Sequence, residues 1–181
     1  NDLESLRRAV PLHISDYYFY DMNRRQSVHY SLFKWFPYFK AEATPDCHTA
    51  NEWNLRNAMT AWVQLQFDFT TPGVDVSVAT SFIDTWRELN KYFYADYYTL
   101  TDWSIEDDQW IGWEFIDPAE GGFAQFFRRA QSPDSEMVIK FKGLDPDSVY
   151  ELTDVDGHCG GTYTGFELMK HGFTVIIPET N

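Results

Sequence analysis

The spacing of apolar residues changes character once along this chain, near Ser104. Before that point it recurs at helical intervals broken by short apolar runs; beyond it apolar and polar residues alternate. Asp2–Arg8 reads as the end of an amphipathic helix, with Asp2 in a capping position. Val10–Ile14 reads as a short strand, with Pro11 tolerated near its start. Asp16–Arg25 is a loop crowded with Tyr and Phe. Gln26–Phe36 is predicted helical, with Val28, Leu32, Trp35 and Phe36 on its apolar face and Pro37 as its stop. Lys40–Glu52 has no clear period and reads as a loop. Asn54–Phe69 begins with helical spacing and ends with strand spacing, where Val63, Leu65, Phe67 and Phe69 alternate with Gln64, Gln66 and Asp68. After the break at Thr70–Asp75 comes the clearest helix, with Val76, Ala79, Phe82, Ile83, Trp86, Leu89 and Phe93 on one stripe.

The second half predicts short strands separated by turns. Ile111, Trp113 and Phe115 make one face; Phe123, Gln125 and Phe127 alternate with Ala124, Phe126 and Arg128. Further runs centre on Met137–Phe141, Tyr150–Leu152 and Phe173–Ile177, and Glu167–Lys170 reads as one helical turn. Asp117-Pro118, Gly121-Gly122, Asp145-Pro146 and Asp156-Gly157 supply the turn chemistry. The expected fold class is therefore α+β: a partial (β/α) barrel segment over residues 1–103, then an antiparallel β-sandwich over 104–181. A closed barrel needs about 250 residues, so the first region supplies only its last units. Alone, such a piece leaves sheet edges and apolar surface open, which favours docking or a homo-oligomer.

Charge narrows the partners. Fourteen Lys and Arg against 28 Asp and Glu give a formal net charge of −14 in 181 residues. This disfavours nucleic acid and anionic membrane surfaces, which both require clustered cations. The cluster Glu106-Asp107-Asp108 reads as a solvated turn. Aromatic residues reach 18% of the chain, a level that suits both core packing and sugar clefts. Cys47-His48 and His158-Cys159 are adjacent pairs, a spacing that rarely lets both residues reach one ion, so no metal is expected. The two cysteines leave a disulfide, and hence the compartment, open. No signal peptide or spanning segment is apparent, and the chain begins inside a helical pattern, as an excised piece would. No phosphate loop, nucleophile elbow or nicotinamide-binding glycine cluster is present, and no cofactor is expected.

The stretch Ala9–Arg25 is where chemistry is expected. Its strand delivers Ser15 and Asp16 at its C-terminal end, followed by aromatic rings; a turn or helix cap is the plain alternative for such a pair. Leu6-Arg7-Arg8-Ala9-Val10-Pro11-Leu12 with Ser15-Asp16-Tyr17 resembles the late barrel segment of family 36 glycoside hydrolases, the α-galactosidase group. The resemblance continues through Tyr30-Ser31-Leu32, Trp35-Phe36-Pro37, Asp96–Thr101, Phe126–Arg129, Gly143–Pro146 and Phe166–Met169, in collinear order.

That resemblance implies a retaining glycosidase with two carboxylates about 5–5.5 Å apart. It implies Asp16 as the general acid/base, held protonated by burial or by its partner's charge. It also places Trp35 and Tyr30 near the barrel rim, in reach of a carbohydrate substrate; core packing is the competing role for each. The family's nucleophile lies in an earlier Lys-x-Asp-x-Asn motif, which is absent. Asp21-Met22-Asn23 imitates part of it, but Phe19 stands where the Lys belongs and the order relative to Asp16 is reversed. The expectation is a C-terminal fragment of an α-galactosidase-like enzyme that needs the rest of its barrel and is inactive alone. The rival is a non-catalytic carbohydrate-binding or structural β-sandwich module.

Overall fold

In a computed structural model, the structure describes residues 12–13 (backbone), 21–43, 51–65, 68, 70–72 and 75–180. The helix predicted over Asp2–Arg8, the segment holding Ser15 and Asp16, and the Cys47-His48 pair lie outside the described residues. The chain divides into two compact units, Asn1–Phe93 and Tyr94–Asn181.

The first unit holds a parallel three-stranded sheet. Strand β1 (Leu12–His13) pairs with β2 (Phe39–Glu42), and β2 pairs with β3 (Trp62–Gln64). Helix α1 (Met22–Leu32) separates β1 from β2, and α2 (Glu52–Arg56) lies between β2 and β3. Helix α3 (Val76–Leu89) follows β3 and runs into a 3-10 turn over Asn90–Tyr94.

Polar caps start each helix. The Asp21 carboxylate accepts from the Arg24 amide at 3.0 Å, Asn51 accepts from the Asn54 amide at 2.9 Å, and Asp75 accepts from the Ser77 amide at 2.9 Å. Each satisfies an amide that has no partner inside its helix. Asp21 thus caps α1, whose first residue, Met22, lies four before the predicted start.

The buried side of α1 differs from the apolar face read in sequence. Arg25, Gln26, His29, Tyr30 and Phe33 are buried, whereas Val28, Leu32 and Phe36 are half-buried and Trp35 is 59% exposed. The spacing i, i+1, i+4, i+5, i+8 is still one helical stripe. Two of its polar side chains find acceptors inside the unit: Arg25 donates to the Glu42 carbonyl at 2.9 Å, and Gln26 donates to the Asn57 side chain at 2.8 Å. A second correction falls on Lys40–Glu52, expected as a loop, which contributes β2 and the start of α2. Its apolar alternation is short and carried by small residues, with Phe39, Ala41 and Ala43 all 0% exposed.

Rings fill the space between α1 and β2. Phe33 lies 4.8 Å from Phe39 and is stacked with Phe93 at 5.9 Å, while His29 sits 5.1 Å from Phe39. The α3 stripe read in sequence is present, with Ala79 and Phe82 buried; Trp86 donates from its indole to the Thr60 carbonyl at 2.9 Å.

The second unit is antiparallel throughout its strand pairs. Strand β4 (Asp96–Thr99), which the alternation did not reveal, pairs with β5 (Trp110–Asp117), and β5 pairs with β6 (Gly121–Arg128). Strand β7 (Glu136–Ile139) pairs with β10 (Phe173–Ile176), and β8 (Val149–Thr153) pairs with β9 (Gly160–Thr164). The short helix α4 (Gly165–Lys170) follows β9. Taken together, the chain is mixed α/β with mostly antiparallel sheets, consistent with a β-sandwich in this unit.

One face of β5 meets the other sheets through two apolar clusters. Trp110 packs with Ile139 and Val175, and Ile116 packs with Leu144 and Leu168. Its other face carries Ile111, Trp113 and Phe115, all at most 1% exposed, with rings of Phe127, Phe123 and Tyr97 within 5.7 Å of them. The β5–β6 hairpin closes where Asp117 accepts from the Ala119 amide at 2.8 Å and Gly121 turns with φ of 99°. Pairing leaves no room for a side chain at Gly122, where a Cβ would stand 2.1 Å from the Phe115 carbonyl oxygen.

Candidate functional site

Parallel strands followed by helices direct their C-terminal ends toward one edge, the place where ligands collect in α/β sheets. Asp16 follows β1 in sequence and lies outside the described residues. At the end of β2 stands Glu42, 2% exposed. Arg25 donates to its carbonyl, and burial lowers the Arg25 pKa to about 10 against a smaller upward pull from the Glu42 charge. A guanidinium at this value stays protonated at neutral pH.

A polar layer supports this edge from the helix side. Gln26 and Asn57 bond each other, Asn57 donates on to the Trp53 carbonyl at 2.8 Å, and the Thr60 hydroxyl accepts from the Ala41 amide at 3.1 Å. His29 lies 2% exposed within the layer, and its Nε2 has no hydrogen-bond partner among the described residues. Burial, then the charge of Arg25, push its pKa down to about 3. A neutral imidazole that cannot take a proton at physiological pH serves packing, not proton transfer. On the sheet itself Lys40 bonds the Gln64 side chain, which puts both on the face away from Phe39 and Ala41.

The structure separates the other two residues expected near a substrate. Tyr30 is 3% exposed on the inward side of α1, with the Lys34 ammonium 4.7 Å from its ring centroid. Trp35 is in the turn that follows α1 and faces outward, 6.0 Å from the Phe36 ring. Arg25, Gln26, Asn57 and Glu42 were not singled out in sequence; their signal was available as polar residues at helical spacing, which ordinarily marks a solvated face.

The second unit contains one buried carboxyl, Glu114, 2% exposed on β5. Burial pushes its pKa up to about 8, against the pull of the Lys142 amide, which donates to it at 2.7 Å, and of the Lys142 charge. Cys159 is a free thiol whose pKa is raised, first by burial. Among the described residues no group of three His, Cys, Asp or Glu is placed to hold a metal ion, and no helix is long and apolar enough to cross a membrane.

Residues 110–176, from β5 to β10, match the glycosyl hydrolase family 36 C-terminal domain. This stretch is therefore similar to a family 36 C-terminal domain. Solved structures extend the likeness beyond it. The galactosidase domain of the α-galactosidase-sucrose kinase AgaSK aligns over 89% of this chain and 23% of its own, with a TM-score of 0.65 at 18% identity. The α-galactosidase AgaA of Geobacillus stearothermophilus, doubly substituted and in complex with raffinose, aligns over the same shares with a TM-score of 0.66 at 16% identity. AgaB of the same organism covers 88% of this chain and 22% of its own, with a TM-score of 0.63 at 19% identity. No curated protein sequence matches this one. The chain thus spans less than a quarter of these enzymes' length, and at such identities the likeness speaks to fold. The family 36 C-terminal domain is also what the collinear motifs of the second half implied.

Proposed function

We propose that this chain is the C-terminal portion of a retaining glycoside hydrolase of the α-galactosidase type, in which residues 1–103 close the catalytic barrel. The observation that carries this reading is the extent of the structural likeness. An alignment over 89% of the chain takes in more than the second unit alone supplies, so it extends into the first unit. The raffinose-bound relative supports an α-galactoside as the substrate class of the complete enzyme.

In that reading Asp16, which follows β1 in sequence, donates a proton to the glycosidic oxygen and then takes one from water. Tyr30 holds α1 against the sheet, and Trp35 offers an aromatic wall. The nucleophile belongs to an earlier strand, so the chain alone turns nothing over. Hydrolysis of an aryl α-galactoside is the assay. Expressed together with the coding sequence that precedes Asn1, the protein is active, and Asp16→Asn lowers kcat by about 10²–10⁴-fold. Turnover by the 181-residue chain alone, or an active longer protein indifferent to Asp16→Asn, overturns the proposal.

A further inference from the structure

Between β4 and β5 the chain crosses a connection, residues 100–109, whose shape is fixed from below. Arg129 is 0% exposed and donates through one guanidinium nitrogen to the carbonyls of Ser104 at 2.8 Å and Glu106 at 2.9 Å. The Gln131 amide donates to the Asp107 carbonyl at 3.0 Å, the Glu106 amide to the Ser104 hydroxyl at 2.9 Å, and the Gly112 amide to the Thr101 hydroxyl at 3.0 Å. A buried guanidinium is costly unless its N–H groups find acceptors. Here those acceptors include two carbonyls of this connection, so the buried charge holds it in one conformation.

What the held connection presents outward is apolar. Trp103 is 53% exposed and Ile105 is 46% exposed, with Ser104 half-buried between them. Asp102, Glu106, Asp107, Asp108 and Gln109 are exposed beside them, and residues 100–109 contain no Lys or Arg. We propose that Trp103, flanked by Ile105, is a platform for a neutral oligosaccharide. The proposal rests on the sugar-directed reading above and adds Trp103 as a residue that holds sugar.

The chemistry selects this ligand class. Surrounding carboxylates, on a protein of net charge −14, repel phosphate, sulfate and acidic polymers. The same carboxylates and the Gln109 amide accept and donate hydrogen bonds to hydroxyls. An indole face takes the C–H face of a pyranose, with the few polar groups around it setting orientation. Because the connection is already ordered, little freedom is lost on binding.

Affinity electrophoresis of the whole chain through native gels containing soluble galactomannan, with sedimentation equilibrium alongside, tests this. The wild-type chain is retarded. Trp103→Ala weakens the apparent Kd by about tenfold or more, roughly the loss of one stacking contact. Trp103→Phe keeps most of the retardation, and Phe166→Ala, at an exposed ring on α4, keeps all of it. Near-UV circular dichroism establishes that each variant retains its packed core. Retardation that survives in a folded Trp103→Ala overturns the proposal. So does its absence in the wild type, its loss in Phe166→Ala, or Trp103-dependent self-association, which assigns the ridge to contact between copies. None of these outcomes bears on Asp16, whose role is decided by hydrolysis in the longer protein.

Discussion

Replacing Glu114 with Gln should stabilise the second unit at alkaline pH and leave it nearly unchanged in acid. Glu114 sits on the central strand β5, 2% exposed, with one carboxyl oxygen accepting from the Lys142 amide at 2.7 Å. Lys142 in turn donates from its ammonium to the Thr99 carbonyl at 2.5 Å, so its charge is held partly away from the carboxyl. Burial therefore dominates and raises the folded pKa from 4.5 to about 8. In the unfolded chain the same group releases its proton near the ordinary value. Between the two values the folded state binds one proton more, so stability falls as pH rises, by about 1.4 kcal/mol per pH unit. Over the whole interval this amounts to about 5 kcal/mol, full loss being reached above the folded pKa. Glu114→Gln keeps an oxygen for the Lys142 amide and removes the ionisation. Urea unfolding followed by tryptophan fluorescence, at about pH 5 and about pH 8.5, reads the difference. The substituted protein gains roughly 2–5 kcal/mol over wild type at the higher pH and stays within about 1 kcal/mol at the lower. Equal pH slopes for the two proteins would refute the argument, because they would mean that Glu114 titrates alike in both states.

His29 has the opposite sign. Its folded pKa is lowered to about 3, so the first unit loses stability as pH falls below the ordinary histidine value, and His29→Phe, placed among Phe33 and Phe39, flattens that acid limb in urea titrations. Leu168→Ala empties the cluster shared with Ile116 and Leu144 and lowers unfolding free energy by about 2–5 kcal/mol, measured at constant m-value. Thr164→Ala breaks the reciprocal bonds between Thr164 and Glu167 at the start of α4 and costs about 1 kcal/mol, seen as a lowered Tm. Gly122→Ala drives a methyl group against the Phe115 carbonyl and prevents close β5–β6 pairing, read as lost amide-exchange protection in that hairpin.

Local pattern fixed much of this protein. The alternation in Ile111–Phe115 and Phe123–Phe127 names β5 and β6, and the turn residues Asp117 and Gly121 set where the hairpin reverses. The stripe from Val76 to Leu89, with Asp75 before it, names α3, because burial of one apolar face and one cap suffice to specify an amphipathic helix. The ordered motifs of the second half pointed to the family 36 C-terminal domain before any coordinates.

Tertiary structure decided the rest. Which face of α1 goes inward depends on partners 17 and 31 residues away, the Glu42 carbonyl and Asn57. Without them Arg25 and Gln26 belong to solvent, so periodicity alone chose Val28, Leu32 and Trp35 instead. Strand β2 needed two parallel neighbours to be recognised, since Lys40 and Glu42 interrupt its small apolar residues. The shape of the Trp103 connection likewise depends on Arg129, 25 residues from Ser104 and buried beneath it. Hydrophobic spacing is a property of neighbours in sequence; the satisfaction of a buried polar group is a property of neighbours in space.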